Sequence, residues 1–156
     1  MVETIEDLIN ALKTEDDLDR EAALGELEIR SEESLDALIE ALNNRNKNIR
    51  RYSAQALGYI GNEKAIQPLI NTLEDKNKFV RREASTALVH IGEPAFDSLI
   101  EILDHEDWRV RGAAAWALGS MKKPEALDAL NALLDDESGF VKAGAKNAIA
   151  NIEKGN

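Results

Sequence analysis

Cysteine is absent from the 156 residues, which excludes disulfides, thiolate zinc sites and cysteine nucleophiles. Aromatic residues make up only 4% of the chain, while Ala and Leu are plentiful, a mix suited to closely packed helices. No apolar run approaches the roughly 18 residues of a spanning helix. The opening stretch MVETIEDL is acidic and poor in apolar side chains, unlike a secretory signal, so the expected compartment is the cytoplasm. Basic residues are the minority, 19 Lys and Arg against 30 Asp and Glu, for a net charge of −11. Such a balance disfavours nucleic acid and anionic membrane, whose phosphates attract Lys and Arg. It is compatible with a basic protein partner, and equally with charge that only maintains solubility. G-x-S-x-G, G-x-x-x-x-G-K and G-x-G-x-x-G are all missing, so no catalytic residue and no cofactor is expected.

What is present is a repeat. Ile49 to Ile60 (IRRYSAQALGYI) recurs as Val80 to Ile91 (VRREASTALVHI), Val110 to Met121 (VRGAAAWALGSM) and Val141 to Ile152 (VKAGAKNAIANI), at steps of 31, 30 and 31 residues. A second motif falls between the copies: Leu8-Ile9-x-x-Leu12, Leu38-Ile39-x-x-Leu42, Leu69-Ile70-x-x-Leu73, Leu99-Ile100-x-x-Leu103 and Leu130-x-x-Leu133-Leu134. Both motifs space their apolar residues as a helix face does. We term the first the A helix and the second the B helix. A fixed period in this range marks stacked supersecondary units. The chain therefore reads as five B–A pairs in one domain spanning 1–156, with repeats at about 1–31, 32–61, 62–92, 93–122 and 123–154.

Local signals delimit the helices. Asn46, Asn77, Asp107 and Ser138 each stand three residues before the Ile or Val that opens an A motif, and all four are good N-cap types. Gly61 and Gly92 follow the last apolar residue of their helices, where a left-handed residue ends a helix. Pro94 and Pro124 suit the first turn of a B helix. Pro68 lies inside a B motif, so that helix either starts late or is kinked. The first A helix is degenerate: Arg20 to Gly25 resembles the motif, but its loop must differ in length.

The pattern V-R-x-x-A-x-x-A-L-G-x-I followed by x-A-x-x-x-L-I-x-x-L resembles the HEAT-like repeats of phycobilisome-lyase proteins. The resemblance covers nearly the whole chain and is strongest from Asn44 to Ile152. It implies an all-α fold, an α-solenoid of five two-helix repeats with A helices on the convex side and B helices lining the concave side. It implies binding more often than catalysis. In HEAT-like families the basic column Arg50, Arg81, Arg111 and Lys142 bonds to carboxylates and carbonyls of the adjacent repeat, a structural ladder. HEAT-like deoxyhypusine hydroxylase holds two irons with several His-Glu pairs. Here His105-Glu106 is such a pair but His90 precedes Ile91, so no metal site is expected.

Two surfaces stand out. On one side of the B helices run two columns about a turn apart: Glu6, Asp36, Gln67, Asp97 and Asp128, then Asn10, Glu40, Asn71, Glu101 and Asn131. All ten are acids or amides, which suits an acidic groove for a basic or extended peptide as well as a solvated helix face. Trp108 and Trp116 flank Gly112 where other repeats carry Lys47, Lys78, Gly139 and Gln55, Thr86, Asn147; exposed indoles there would form a contact patch. The leading expectation is a non-catalytic protein- or peptide-binding scaffold with an acidic concave surface. The alternatives are an accessory or catalytic subunit resembling the phycobilin lyases, and a structural protein that self-associates weakly through its open ends.

Overall fold

The computed structural model describes residues 2–155. Among them are ten α-helices and no strand. The chain divides into two compact units, Met1–Ile91 and Gly92–Asn156, and the boundary falls where the third expected repeat gives way to the fourth. The first unit contains α1 (Ile5–Asn10), α2 (Asp17–Ile29), α3 (Ser31–Ala41), α4 (Lys47–Ile60), α5 (Ile66–Thr72) and α6 (Lys78–Ile91). The second contains α7 (Phe96–Glu101), α8 (Trp108–Met121), α9 (Leu127–Ala132) and α10 (Gly139–Lys154). B helices are thus α1, α3, α5, α7 and α9, and A helices are the even-numbered ones.

All B helices but α3 are short and are extended by 3-10 turns, as at Ile102–Asp104 and Leu133–Asp135. Tightening the last turn gives terminal carbonyls a partner that the α-helix itself cannot supply. The first Leu of every B motif (Leu8, Leu38, Leu69, Leu99, Leu130) is buried, as are Leu57, Leu88 and Leu118 of the A motif. Asn46, Asn77, Asp107 and Ser138 each accept a backbone N–H of the first turn they precede.

Helix ends differ in places from the sequence reading. Gly61 is left-handed (φ 72°, ψ 20°), but Gly92 combines φ 79° with ψ −135°, a conformation open to glycine alone. The third positive-φ position is not a glycine: Lys122 ends α8 at φ 56°. Pro68 is the third residue of α5, so the helix starts early enough to keep it in the first turn, where its missing N–H is harmless. The degenerate first A helix, α2, is joined to α3, the B helix of the next repeat, by Arg30 alone, whereas the later A helices lead into the next B helix through an intervening turn.

Within each unit, one pair of A helices packs backbone to backbone. A Cβ on Gly58 of α4 would lie 2.7 Å from Ala87 Cα of α6, and one on Gly119 of α8 would lie 2.7 Å from Ala148 Cα of α10. Glycine at these points lets the helices approach more closely than any larger residue allows.

Candidate functional site: the B-helix face and the Arg–Asp bridges

In each unit, a buried bridge joins one repeat to the next. Arg50 Nε and Nη2 donate to the two carboxylate oxygens of Asp75 at 2.8 and 3.1 Å, and Nη1 donates to the carbonyls of Asn44 and Arg45. Arg111 repeats this in the second unit, with Asp136 at 2.9 and 3.1 Å and the carbonyls of His105 and Glu106. The carbonyls belong to the loop before the arginine's own helix, not to the adjacent repeat as the family resemblance implied; only the carboxylate comes from the next repeat. Arg81 donates to the Asp75 carbonyl in the same way, and Lys142 is exposed. Arg20 of the degenerate helix joins the column, reaching the Thr14 carbonyl at 3.5 Å and bonding to Asp17. The Arg111 guanidinium holds the Asp136 carboxyl below its ordinary value against the opposing effect of burial, and the Ser138 amide and the charge of Lys142 act in the same direction.

Those aspartates occupy a repeat position that sequence reasoning missed. Thr14, Asn44, Asp75, His105 and Asp136 each accept the backbone N–H two residues on, at 2.8–3.2 Å. The signal was there in the alternation of acceptor types (T-x-D, N-x-N, D-x-N, H-x-D, D-x-S) leading into each A helix, an Asx-type turn or its analogue. It explains His105, whose Nδ1 accepts the Asp107 N–H at 3.0 Å. His90 instead stacks on Tyr59. No cluster of three or more metal-ligating side chains exists among the described residues.

The B-helix face carries the two acidic and amide columns. Glu6, Asn10, Asp36, Glu40, Gln67 and Asn71 are exposed in the first unit, and Asp97, Glu101, Asp128 and Asn131 in the second. Gln67 Nε2 donates to Asn71 Oδ1 at 3.0 Å, linking the columns along α5. One position needs correction. Two residues after Leu130 stands Ala132, not Asn131, so the last repeat has a methyl group where the others have an acid or an amide.

That alanine lies beside a groove. Between α7 and α9, with their 3-10 turns, runs an open cleft of about 870 Å³. Its apolar lining is Ile100, Leu103, Ala129, Ala132 and Leu133, and its acidic lining is Glu101, Asp104, Asp135, Asp136 and Glu137. Arg111 also reaches it but is bonded to Asp136. The first unit has a smaller counterpart between α3 and α5, about 320 Å³, lined by Ile39, Leu42, Pro68, Asn71, Thr72 and Asp75 among others.

A family model of HEAT repeats matches residues 5–88, 35–103 and 66–150. The chain belongs to the HEAT repeat family. Its fold is that of the HEAT-like α-solenoids, which agrees with two solved structures. The CpcE–CpcF complex of phycocyanin lyase from Nostoc sp. PCC7120 is 22% identical over 92% of this chain and 96% of that one, with a TM-score of 0.68. An archaeal HEAT-like repeat protein from Thermococcus onnurineus NA1 is 20% identical over 96% of this chain and 70% of that one, with a TM-score of 0.58. At these identities the likeness is one of fold. No curated protein matches the sequence. Among the described residues, no helix of this HEAT repeat chain is long and apolar enough to cross a membrane.

The tryptophans lie on the A side. Trp108 and Trp116 are 46% and 48% exposed. The glycine between them is not an open floor: Phe140 of α10 covers Gly112, with ring atoms 3.0 and 3.3 Å from where its Cβ would be. Trp108 meets Phe140 edge to face, centroids 5.4 Å apart. Trp116 shares no ring contact among the described residues. At the other end of the chain, a notch of about 610 Å³ in the first unit is lined by Leu8, Ala11, Ala22 and Ala23, with Leu18 and Ile29 exposed nearby in sequence on α2.

Proposed function

We propose that this HEAT repeat chain is a non-catalytic protein-binding module. Its B-helix face takes a basic segment that also carries apolar side chains. The observation that carries this reading is the cleft between α7 and α9, where leucine, isoleucine and alanine form the lining together with Glu101, Asp104 and Asp135. Ile100 and Ala129, half-buried, and Ala132, exposed, give a partner's apolar side chains something to cover, above the buried Leu103 and Leu133. The surrounding carboxylates reward positive charge and penalise negative charge, which sets partner choice and speeds encounter more than it adds affinity. HEAT-like chains are known to assemble with other proteins, as the CpcE–CpcF complex shows of those two.

The test is a charge reversal on opposite sides of the cleft. A fluorescently labelled peptide of alternating Lys and Leu serves as probe, read by anisotropy. Glu101→Lys with Asp135→Lys should weaken binding at least about tenfold. Folding should be nearly unchanged, because exposed charges contribute little to stability. Binding by the wild-type chain should also fall as salt rises past a Debye length of about 8–10 Å. Binding that survives the double reversal within twofold removes the cleft from the account.

A further inference from the structure

Phe79 and Phe140 stand at the same repeat position, one residue before the Val that opens an A motif. Phe79 is surrounded by cations: Arg51, Lys78 and Arg82 lie 5.2, 5.3 and 5.7 Å from its centroid. Stepping each of those three positions two repeats along the chain gives Gly112, Gly139 and Ala143. Every cation has been replaced by one of the two smallest residues. Two repeats along from Lys47 stands Trp108. Phe140 is 66% exposed against 41% for Phe79.

Beside the two rings lies a notch of about 310 Å³, lined by Trp108, Phe140, Glu106, Arg111, Glu137 and Ser138. Arg111 borders it, its guanidinium held by both oxygens of Asp136 and 4.0 Å from the Glu137 carboxylate. What the notch presents to solvent is two aromatic rings at near right angles and two carboxylates. Ring faces carry negative quadrupole charge and attract cations, most of all planar guanidinium; the carboxylates add charge of the same preference.

We propose that this notch is a subsite for one arginine side chain of a partner protein, whose guanidinium lies against the Trp108 and Phe140 rings beside Glu106 and Glu137. The subsite shares Arg111 and Glu137 with the cleft between α7 and α9 but includes neither Glu101 nor Asp135.

The chain has two tryptophans, so two indole N–H signals report the site in a 15N spectrum, assigned with Trp116→Phe. The probe is acetyl-Gly-Arg-Gly-Arg-Gly-amide. Its citrulline counterpart has the same shape without the charge. The Trp108 signal should shift saturably with the arginine peptide, and the citrulline peptide should bind at least about fivefold more weakly. Phe140→Leu should weaken the shift several-fold while keeping the reporter. The Glu101→Lys, Asp135→Lys chain should keep the shift, which separates this subsite from the cleft. Equal binding of the citrulline peptide, an undiminished shift in Phe140→Leu, or loss of the shift in the cleft variant would each overturn the assignment. So would a Trp108 shift produced by raising protein concentration without probe, which would make a second copy the occupant.

Discussion

Phe79 and Phe140 occupy equivalent places on equivalent helices, yet one ring sits among Arg51, Lys78 and Arg82 and the other lies against Gly112 and Trp108. Beneath them the two units are built alike. Gly58 faces Ala87 as Gly119 faces Ala148, at the same 2.7 Å, and Arg50–Asp75 has the geometry of Arg111–Asp136. Stacking dictates the interior, since each repeat must cover its neighbour's apolar face. The outer face is under no such constraint, and there the chain has exchanged a self-satisfied cationic cluster for an open aromatic one.

If the interiors are equivalent, breaking either bridge should cost the same. Asp75→Asn and Asp136→Asn each leave a buried arginine without its carboxylate, and each should lose roughly 3–5 kcal/mol in urea titration; a large difference between them would break the equivalence. The pH dependence follows from the depressed Asp136 carboxyl. A carboxylate whose folded value lies below its unfolded one stabilises the fold above the unfolded value, about pH 4, and loses that contribution as pH falls through the folded value. The gap between wild type and Asp136→Asn should therefore be full at neutral pH and shrink below about pH 4. Glu83 behaves oppositely. Burial raises its carboxyl despite Arg51, which lies 4.0 Å away, so its contribution is greatest at low pH and diminishes as pH rises through the folded value.

Smaller effects sharpen the same comparison. Gly119→Ala places a methyl against the Ala148 backbone and should cost about 1–3 kcal/mol, like other overpacked sites. Gly144→Ala in α10 meets nothing within 4 Å and should gain up to about 1 kcal/mol from helix propensity. The two substitutions share a unit and differ only in what the new methyl touches, so equal thermal shifts would contradict the close approach. Smaller still is Ser53→Ala. Ser53 is fully buried and its hydroxyl has no partner, while Ala84, Ala114 and Ala145 hold that position in the other repeats. Removing it should stabilise the chain by about 1 kcal/mol.

Much of this interior was legible in the sequence, because its signals are local. The Leu columns, the motif period and the N-caps at Asn46, Asn77, Asp107 and Ser138 depend on neighbours within a turn or two. The acceptors of the arginines were not, because Asp75 and Asp136 stand 25 residues from Arg50 and Arg111 and are brought near only by stacking. The end of α8 at Lys122 escaped for another reason: glycine is the usual sign of a left-handed residue, and here a lysine adopts that conformation. On the candidate surfaces, the exposure of the acidic and amide columns follows from helix geometry, but the cleft beside them depends on Ala129 and Ala132, small side chains that charge patterning overlooks. Trp108 drew notice as an intruder at a lysine position. Its partner Phe140 did not, because Phe79 made an aromatic there look ordinary.

The proposal that the B-helix face binds a basic, partly apolar segment is tested most directly by locating the bound peptide. With methyl-labelled Ile, Leu and Ala and the Lys–Leu peptide as probe, the methyl signals of Ile100, Leu103, Ala132 and Leu133 should shift together and saturate at one concentration. Shifts confined to the A helices, at Ala113 or Ala143 for example, with the signals of Leu103 and Leu133 unmoved, would contradict it.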